Sequence, residues 1–345
     1  MKKIICIILT LIFILSGCAK QTVKVSDNQP DKPADNAAQN LNPEEFYTKM
    51  TESNTRPIAL MIDNDKDYTG PQAGLENAYL IYEMYVEGGS TRLMALFKDA
   101  KNGTDVDTTE SRIGPIRSSR HYFLDFALEN DAIYGHCGWS PKAQADIKSL
   151  GVNNVNGLTE GGVFKRFSKY NNTWHNLYTT YELILNSAKS SSHSYRTTTN
   201  VSLNYSPNFV IPKEGYTASK ISIPYSAYNV SYQYDEEKNL YMRYKKDSPH
   251  TMQSGVQLSC TNLLILKMQN ENLKDTEKKG RQELYDTGSG KGYYITGGNA
   301  KEITWSKESR TAQTVYTYES GSKVSLNPGV TYIQIVPPSM NISIE

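Results

Sequence analysis

One apolar run sets the first constraint on this chain. Ile4 to Leu15 is twelve residues long, is broken only by Thr10, and follows Lys2 and Lys3. A helix of that length spans roughly 18 Å, at about 1.5 Å per residue. The hydrocarbon core of a bilayer is roughly 30 Å thick. The run is therefore read as the apolar region of a signal peptide, not as a spanning helix. It ends in Leu15-Ser16-Gly17-Cys18, which resembles a bacterial lipobox. On this reading residues 1–17 are removed, and the Cys18 thiol receives a diacylglyceryl group. Two acyl chains anchor stably where one is marginal. The partner is then the cytoplasmic membrane, and the mature chain lies on its outer face. The alternative is an uncleaved anchor with a chance Cys.

The remaining chain is long enough for two ordinary domains, 345 residues in all. A mean hydropathy of −0.56 excludes a polytopic membrane protein. Thirty-seven basic against 36 acidic side chains leave +1, without the basic excess of a dedicated nucleic-acid binder. Loss of Lys2 and Lys3 takes that charge to −1. Residues 18–45 are polar, with almost nothing to bury, and read as a tether. About 26 such residues reach roughly 28 Å r.m.s.. A second polar stretch, Ser187 to Asn200, separates residues 46–190 from 191–345. Cleavage leaves Cys137 and Cys260 as thiols, paired or free.

The two halves differ in pattern. In the first, Pro57–Asp63 reads as a strand, and Tyr79–Val86 and Thr91–Phe97 as a hairpin around Gly88-Gly89. Tyr122, Phe123, Phe126 and Ala127 fall at helical spacing, with Ser118 and Ser119 as cap candidates. Ala132–Tyr134 reads as a buried strand, Ser140-Pro141 opens a helix, and another helix covers Tyr178–Ser187. This is an α/β domain, a mixed sheet with helices. The second half is a series of short β-rich runs between Gly, Asn and Asp, an antiparallel β domain. Gly288-Ser289-Gly290-Lys291-Gly292 lacks phosphate-loop spacing and is read as a β-turn.

Several motifs together carry a family resemblance. They include Arg56-Pro57-Ile58-Ala59, Met61-Ile62-Asp63-Asn64, Val86-Glu87-Gly88-Gly89 with Thr91-Arg92, and Ile113-Gly114-Pro115-Ile116-Arg117-Ser118 with Arg120. His136 with Gly138, Ser140 and Pro141 belongs to the set, as do Ser248-Pro249-His250 and Asn327-Pro328-Gly329. Over about Arg56 to Pro337 the chain resembles the YerB-like lipoproteins, catalogued as a domain of unknown function, DUF3048. The resemblance implies two domains and an envelope location, and no activity. The family tends to have Pro-His-Asn-Leu-Tyr where this chain has Trp174-His175-Asn176-Leu177-Tyr178.

Candidate chemistry concentrates in the first half. Glu83 and Glu87 are two carboxylates able to divide acid and base work. Four strand positions separate them by roughly 13 Å, too far for direct pairing. Glu87, at the turn, is the better placed for a ligand. The alternative is a buried Glu83 paired with Arg92 or Arg117. Arg112, Arg117 and Arg120 lead into the Ser118 cap and suggest a carboxylate or phosphate site. The alternative makes these arginines scaffold partners of Asp63, Glu83 or Asp125. His136 ends a strand and Ser140 caps a helix, where α/β sheets bind ligands. Trp139 is suited to stack on a ring, and Cys137 is a possible nucleophile. His175 and Asn176 are candidates for a general base or for orienting a substrate. No metal-ligand spacing and no cofactor motif is found. His121, His193 and His250 read as structural or exposed.

Two classes of function remain open at this level. One is a protein binding an anionic wall or lipid-linked envelope ligand through Arg92, Arg117, Arg120 and their neighbours. The other is a peptidoglycan- or glycan-directed hydrolase or transferase with Glu87 or His175 as acid/base. A purely structural assembly role is a third. The lipobox reading makes a direct prediction. Cys18→Ala should abolish labelling with tritiated palmitate and block maturation, read by fractionation and immunoblotting. Membrane-bound protein of normal mature size would refute it.

Overall fold

A computed structural model of the chain describes residues 41–65, 71–100, 103–168, 174–190, 195–198, 202–274 and 277–345. The signal peptide, Cys18 and nearly all of the tether lie outside these residues, as does His193. Helix α1 (Pro43–Glu52) starts at a capping box, with Asn42 accepting from the Glu45 amide and Glu45 reaching back to Asn42.

The fold is mixed α/β, with a large mixed sheet in the N-terminal region and an antiparallel β-rich C-terminal part. The first half supplies β1 (Ile58–Asn64), β2 (Leu80–Tyr85), β3 (Thr91–Phe97), β4 (Ile133–His136) and β5 (Asn154–Asn156). The second half supplies β6 (Lys220–Tyr225), β7 (Tyr228–Asp235), β8 (Leu240–Lys245), β9 (Asn262–Lys267), β10 (Gly288–Thr296), β11 (Asn299–Lys307), β12 (Val315–Thr317) and β13 (Thr331–Val336). The main sheet runs β12-β11-β10-β9-β13-β2-β3-β1-β4-β5. It therefore passes through both halves: β13 pairs in parallel with β9 on one side and with β2 on the other. All six residues of β13 are buried, the pattern of a strand covered on both faces. A second sheet centres on β8-β7-β6, antiparallel throughout.

Helix α2 (His121–Glu129) turns Tyr122, Phe123 and Phe126 into the core. Its N-cap is Arg120, without a side-chain cap, and not Ser118 or Ser119: Ser119 pairs with Gly138 and Ser140 in the loop after β4, and the Ser118 carbonyl accepts from Arg92. Helix α3 (Pro141–Ser149) starts as read: the Ser140 hydroxyl accepts from the Ala143 amide at 3.3 Å. Helix α4 (Tyr181–Lys189) starts later than read, since Leu177–Tyr178 pairs with Lys165–Arg166. The glycine stretch 288–292 is strand, not turn. A Cβ at Gly290 would sit 2.6 Å from the Trp305 indole nitrogen, which donates to the Lys267 carbonyl. The turn is Gly297-Gly298, where φ of 57° and 72° suits glycine between β10 and β11.

Many of the 25 tyrosines are structural. Tyr82, Tyr122, Tyr134, Tyr232, Tyr241 and Tyr332 are among the largest fully buried side chains. Several hydroxyls bridge the sheets: Tyr225 donates to Gln334 at 2.8 Å and Tyr228 to the Asn64 carbonyl at 2.7 Å. Cys137 and Cys260 are both free.

At the centre lies a fully buried ion pair. Arg243 of β8 donates to Glu83 of β2 at 2.7 Å, both side chains 0 % exposed. Glu83 also accepts from Thr91 at 2.6 Å and from Asn64 and Gln334 at 2.9 Å each. Arg243 donates further to His250 Nδ1 at 2.9 Å and to the Tyr232 hydroxyl. Removing one partner of such a pair strands a charge, costing about 3–5 kcal/mol. Arg243→Met should lose that much in urea unfolding, whereas Glu83→Leu with Arg243→Met should recover most of it. Equal stability of single and double variants would show that the pair is not coupled.

Candidate functional site

The sheet itself creates the site. β1 and β4 run parallel, so their carboxyl ends open on the same edge, where α/β sheets favour ligands. The segment Ile113–Ser119 straps across that edge. Asp63 N donates to Pro115 O at 2.9 Å, Arg117 N to Met61 O at 2.8 Å, and Cys137 N to Arg117 O at 3.0 Å. Ile116 N donates to Leu177 O at 2.6 Å, which brings the chain before β-paired Leu177 alongside. This pinning puts Arg117 over the end of β1 and next to Trp174 and His175.

Asp63 is the hub. It lies opposite Arg92 in the β1–β3 register, Arg117 Nε is 3.5 Å from its carboxylate, and His175 Nδ1 donates to it. Burial alone would raise this carboxyl, but the His175 bond and the Arg117 and Arg92 charges hold it below its ordinary value. Burial and the neighbouring Arg120 and Arg117 push the Arg92 guanidinium down to about 10. Arg92 Nη1 donates to the Ser118 carbonyl at 2.5 Å. Arg120 binds Glu87 in bidentate fashion, at 2.5 and 2.9 Å. Burial opposes ionisation of Glu87, yet the Arg120 bond keeps its carboxyl below its ordinary value. Glu87 is thus held as an anion, the wrong state for a proton donor.

Beside this cluster is a pocket of about 370 Å³ lined by Arg117, Ser118, Cys137, Trp139, Arg166 and Trp174. Leu158 adds to its rim, and both Leu158 and Trp174 are well exposed, at 62 % and 73 %. Arg166 is exposed and donates to the neutral Asn176 amide oxygen at 2.9 Å. Among the described residues, four guanidiniums (Arg92, Arg117, Arg120, Arg166) face two carboxylates (Asp63, Glu87). The site is electropositive and walled by two indoles. Burial pushes the Cys137 thiol up despite Arg166 and Arg117 nearby, so it is not an activated thiolate. A larger cleft, about 660 Å³, lies by Arg56 and Arg196, but both arginines close on Asp131 there.

Other predicted residues fall elsewhere. Glu83 does not join Glu87; it is sealed in the core on Arg243, rather than on Arg92 or Arg117. Arg112 does not join Arg117 and Arg120. It stacks on Phe167 at 4.4 Å and donates to Val106 O, Asp107 O and Gln253. His136 is fully buried, with Nδ1–H donating to Gly138 O at 2.8 Å and Nε2 accepting from Asn154 at 3.2 Å. Ser140 is spent on its cap. Neither lines the pocket. Asn176 is buried and holds Arg166. His121 and His250 are structural and buried, on Glu283 and on Arg243 with Gln72. Among the described residues no group of three or more His, Cys, Asp or Glu side chains is placed to hold a metal ion.

Two residues were not anticipated. Arg166 lies between Phe164 and Phe167 with no motif around it. Lys245 comes from the second half: its ammonium donates to Asn64 Oδ1 at 2.6 Å and lies 4.4 Å from the Tyr228 ring centroid. Burial pushes it down to about 8.

Comparison with known proteins agrees with this architecture. Models described as "Protein of unknown function (DUF3048)" N-terminal and C-terminal domains match residues 46–195 and 221–333. The chain is 28 % identical over 346 aligned positions to the Bacillus subtilis (strain 168) protein named "Putative lipoprotein YerB", covering 98 % of this chain and 96 % of that one. The crystal structure of YerB from Bacillus subtilis superposes with a TM-score of 0.71 at 26 % identity, over 90 % of this chain and 99 % of that one. Among the described residues no helix is long and apolar enough to cross a membrane.

The buried His136 makes a pH prediction. Burial holds its imidazole at about 4 in the folded chain, against about 6.5 when free. Between those values only the unfolded chain binds the proton, so stability falls as pH drops from about 6.5 to about 4. Above about pH 6.5 the residue adds no pH dependence. The loss amounts to roughly 3 kcal/mol, and His136→Asn should remove that share of the slope in urea titrations at several pH values, the buried His250 keeping its own. An unchanged slope would place the dependence on other groups.

Proposed function

Since this chain belongs to the DUF3048 family, which includes the lipoprotein-named YerB, we propose that it is a lipid-anchored envelope protein that binds an anionic ligand at the Arg117 pocket. The observation that carries this reading is the charge balance: four guanidiniums against two carboxylates, beside an open pocket walled by Trp139 and Trp174. Guanidinium forks recognise carboxylate and phosphate in bidentate fashion, and indole faces stack on rings and sugar planes. Wall fragments carrying lactyl or peptide carboxylates combine both features. The tether and lipid read from the sequence would keep the pocket near the membrane and the wall above it.

Residues 46–190 would then be the binding domain. Residues 191–345 would support it from the second sheet through Arg243 and Lys245. The Asp63–His175 couple favours a second reading. A carboxylate that orients an imidazole through Nδ1 is the usual arrangement of a general base. On that reading the protein is a glycan- or peptide-directed hydrolase with His175 as the base, and the arginines clamp the substrate.

One experiment separates the two. The chain starting at Ala19 is incubated with purified peptidoglycan, then sedimented, and the supernatant is analysed by mass spectrometry. Binding predicts co-sedimentation without released fragments. Arg117→Ala or Arg166→Ala should weaken it about tenfold or more, the worth of one charge-assisted bond. Fragments that vanish in His175→Ala would establish the enzyme. Neither sedimentation nor fragments would sink both.

A further inference from the structure

The surface holds one more apolar cluster, remote in sequence from the pocket residues. Val210 is 56 % exposed, Ile211 49 % and Tyr216 44 %. They belong to one loop, VIPKEGY, from Val210 to Tyr216. The loop does not hang free. The Val210 amide and carbonyl are both bonded by the Asn327 side chain, at 2.7 and 3.0 Å. Ile211 and Phe209 pack so closely on the β10–β11 turn that a Cβ at Gly297 would meet them at 2.8 and 3.3 Å. Tyr216–Thr217 pairs with Asn299 and Ala300 of β11. A loop pinned by these bonds while it presents neighbouring apolar side chains to solvent is suited to act as an interaction surface.

Three observations indicate what covers it. First, Leu41, where the described chain begins, lines the same cleft of about 300 Å³ as Phe209. The link to Cys18 therefore arrives beside this loop, and it is about 22 residues, at most roughly 75 Å when fully extended. Second, the cluster has interfacial chemistry. Aliphatic Val210 and Ile211 are accompanied by Tyr216, with Tyr293 close enough to perturb its hydroxyl. Tyrosine is enriched where bilayer meets water. Third, Lys213 lies in the loop and Lys301 donates to its carbonyl at 2.8 Å, with Glu214 answering Lys301 at 3.7 Å. With Glu302 also acting on Tyr216, the two lysines and two glutamates balance, so no net charge repels the headgroup layer.

We propose that the Val210–Tyr216 loop is a membrane-docking surface that inserts Val210 and Ile211 among lipid headgroups once the chain is tethered. The proposal rests on the lipid-anchor reading above. Burying two aliphatic side chains binds more weakly than a single acyl chain, so the loop acts only with the anchor supplying local concentration.

The test supplies the anchor artificially, which keeps it independent of whether Cys18 is lipidated in the cell. The chain starting at Cys18, in a Cys137→Ser background, is coupled through Cys18 to a maleimide lipid. The vesicles contain phosphatidylglycerol and phosphatidylethanolamine. Trp emission is compared with and without Ile211→Trp. The expected result is a blue shift on coupling and quenching by brominated acyl chains, both lost when Val210→Asp is added. Emission at Ile211→Trp that does not change on coupling would overturn the proposal. So would a concentration-dependent blue shift in the uncoupled chain, which would assign the patch to a second copy.

Discussion

The Glu83–Arg243 pair is the constraint on which the rest depends. A guanidinium and a carboxylate with no exposed surface are tolerable only if every remaining donor and acceptor is met. Here Glu83 takes Thr91, Asn64 and Gln334, and Arg243 takes His250 and Tyr232. Those partners come from β1, β3, β7 and β13 and from the segment after β8. The pair therefore dictates that β13 inserts beside β2 and that the second sheet closes over the main one. The halves that differ so clearly in pattern share one core because of it. The chemistry of His250 follows: with Arg243 against Nδ1 and full burial, its imidazole is held well below its ordinary value and stays neutral.

The same network sets the edge on which the pocket lies. Asn64 holds Glu83 with its side chain and receives Lys245 and Tyr228 on its oxygens. That fixes the last residue of β1 from both halves at once. Asp63, one residue earlier, points to the other face of the strand and meets His175, Arg117 and Arg92. One strand end thus serves the core with one residue and the candidate site with the next. A disturbance of the core pair would reach the site through Asn64, without any contact between Arg243 and the pocket.

What was legible in the sequence was local. Ser140-Pro141 at the start of α3, the hairpin around Gly88-Gly89 and the short strands of the second half each depend on neighbours within a few residues. What was not legible depends on distant partners. Arg243 lies 160 residues from Glu83, so no spacing rule joins them, and the nearer Arg92 and Arg117 were the natural candidates. His136 reads as a ligand at a strand end because nothing nearby in sequence shows Asn154 waiting for its Nε2. Arg112, Arg117 and Arg120 look like one basic cluster; the strap turns Arg112 back onto Phe167 and delivers the other two to the site. Arg166 carries no motif, and only the short pairing of Lys165–Arg166 with Leu177–Tyr178 brings it to the pocket.

The pairing of charges at the site bears on what the pocket can hold. An arginine fully committed to a carboxylate has little left for a ligand, and Arg120 on Glu87 is close to that state. Arg117 is different: its Nε is buried and stands at 3.5 Å from Asp63, beyond a good hydrogen bond. Arg166 is held by a neutral amide. These two, one on each side of the pocket, retain donors and charge that an arriving anion can use. His175 sits on the carboxylate that Arg117 approaches. An anion that drew Arg117 toward the pocket would loosen its hold on Asp63 and leave that carboxylate more fully to His175. Binding and any acid–base chemistry at His175 would then be coupled through Asp63, since both groups compete for the same two oxygens.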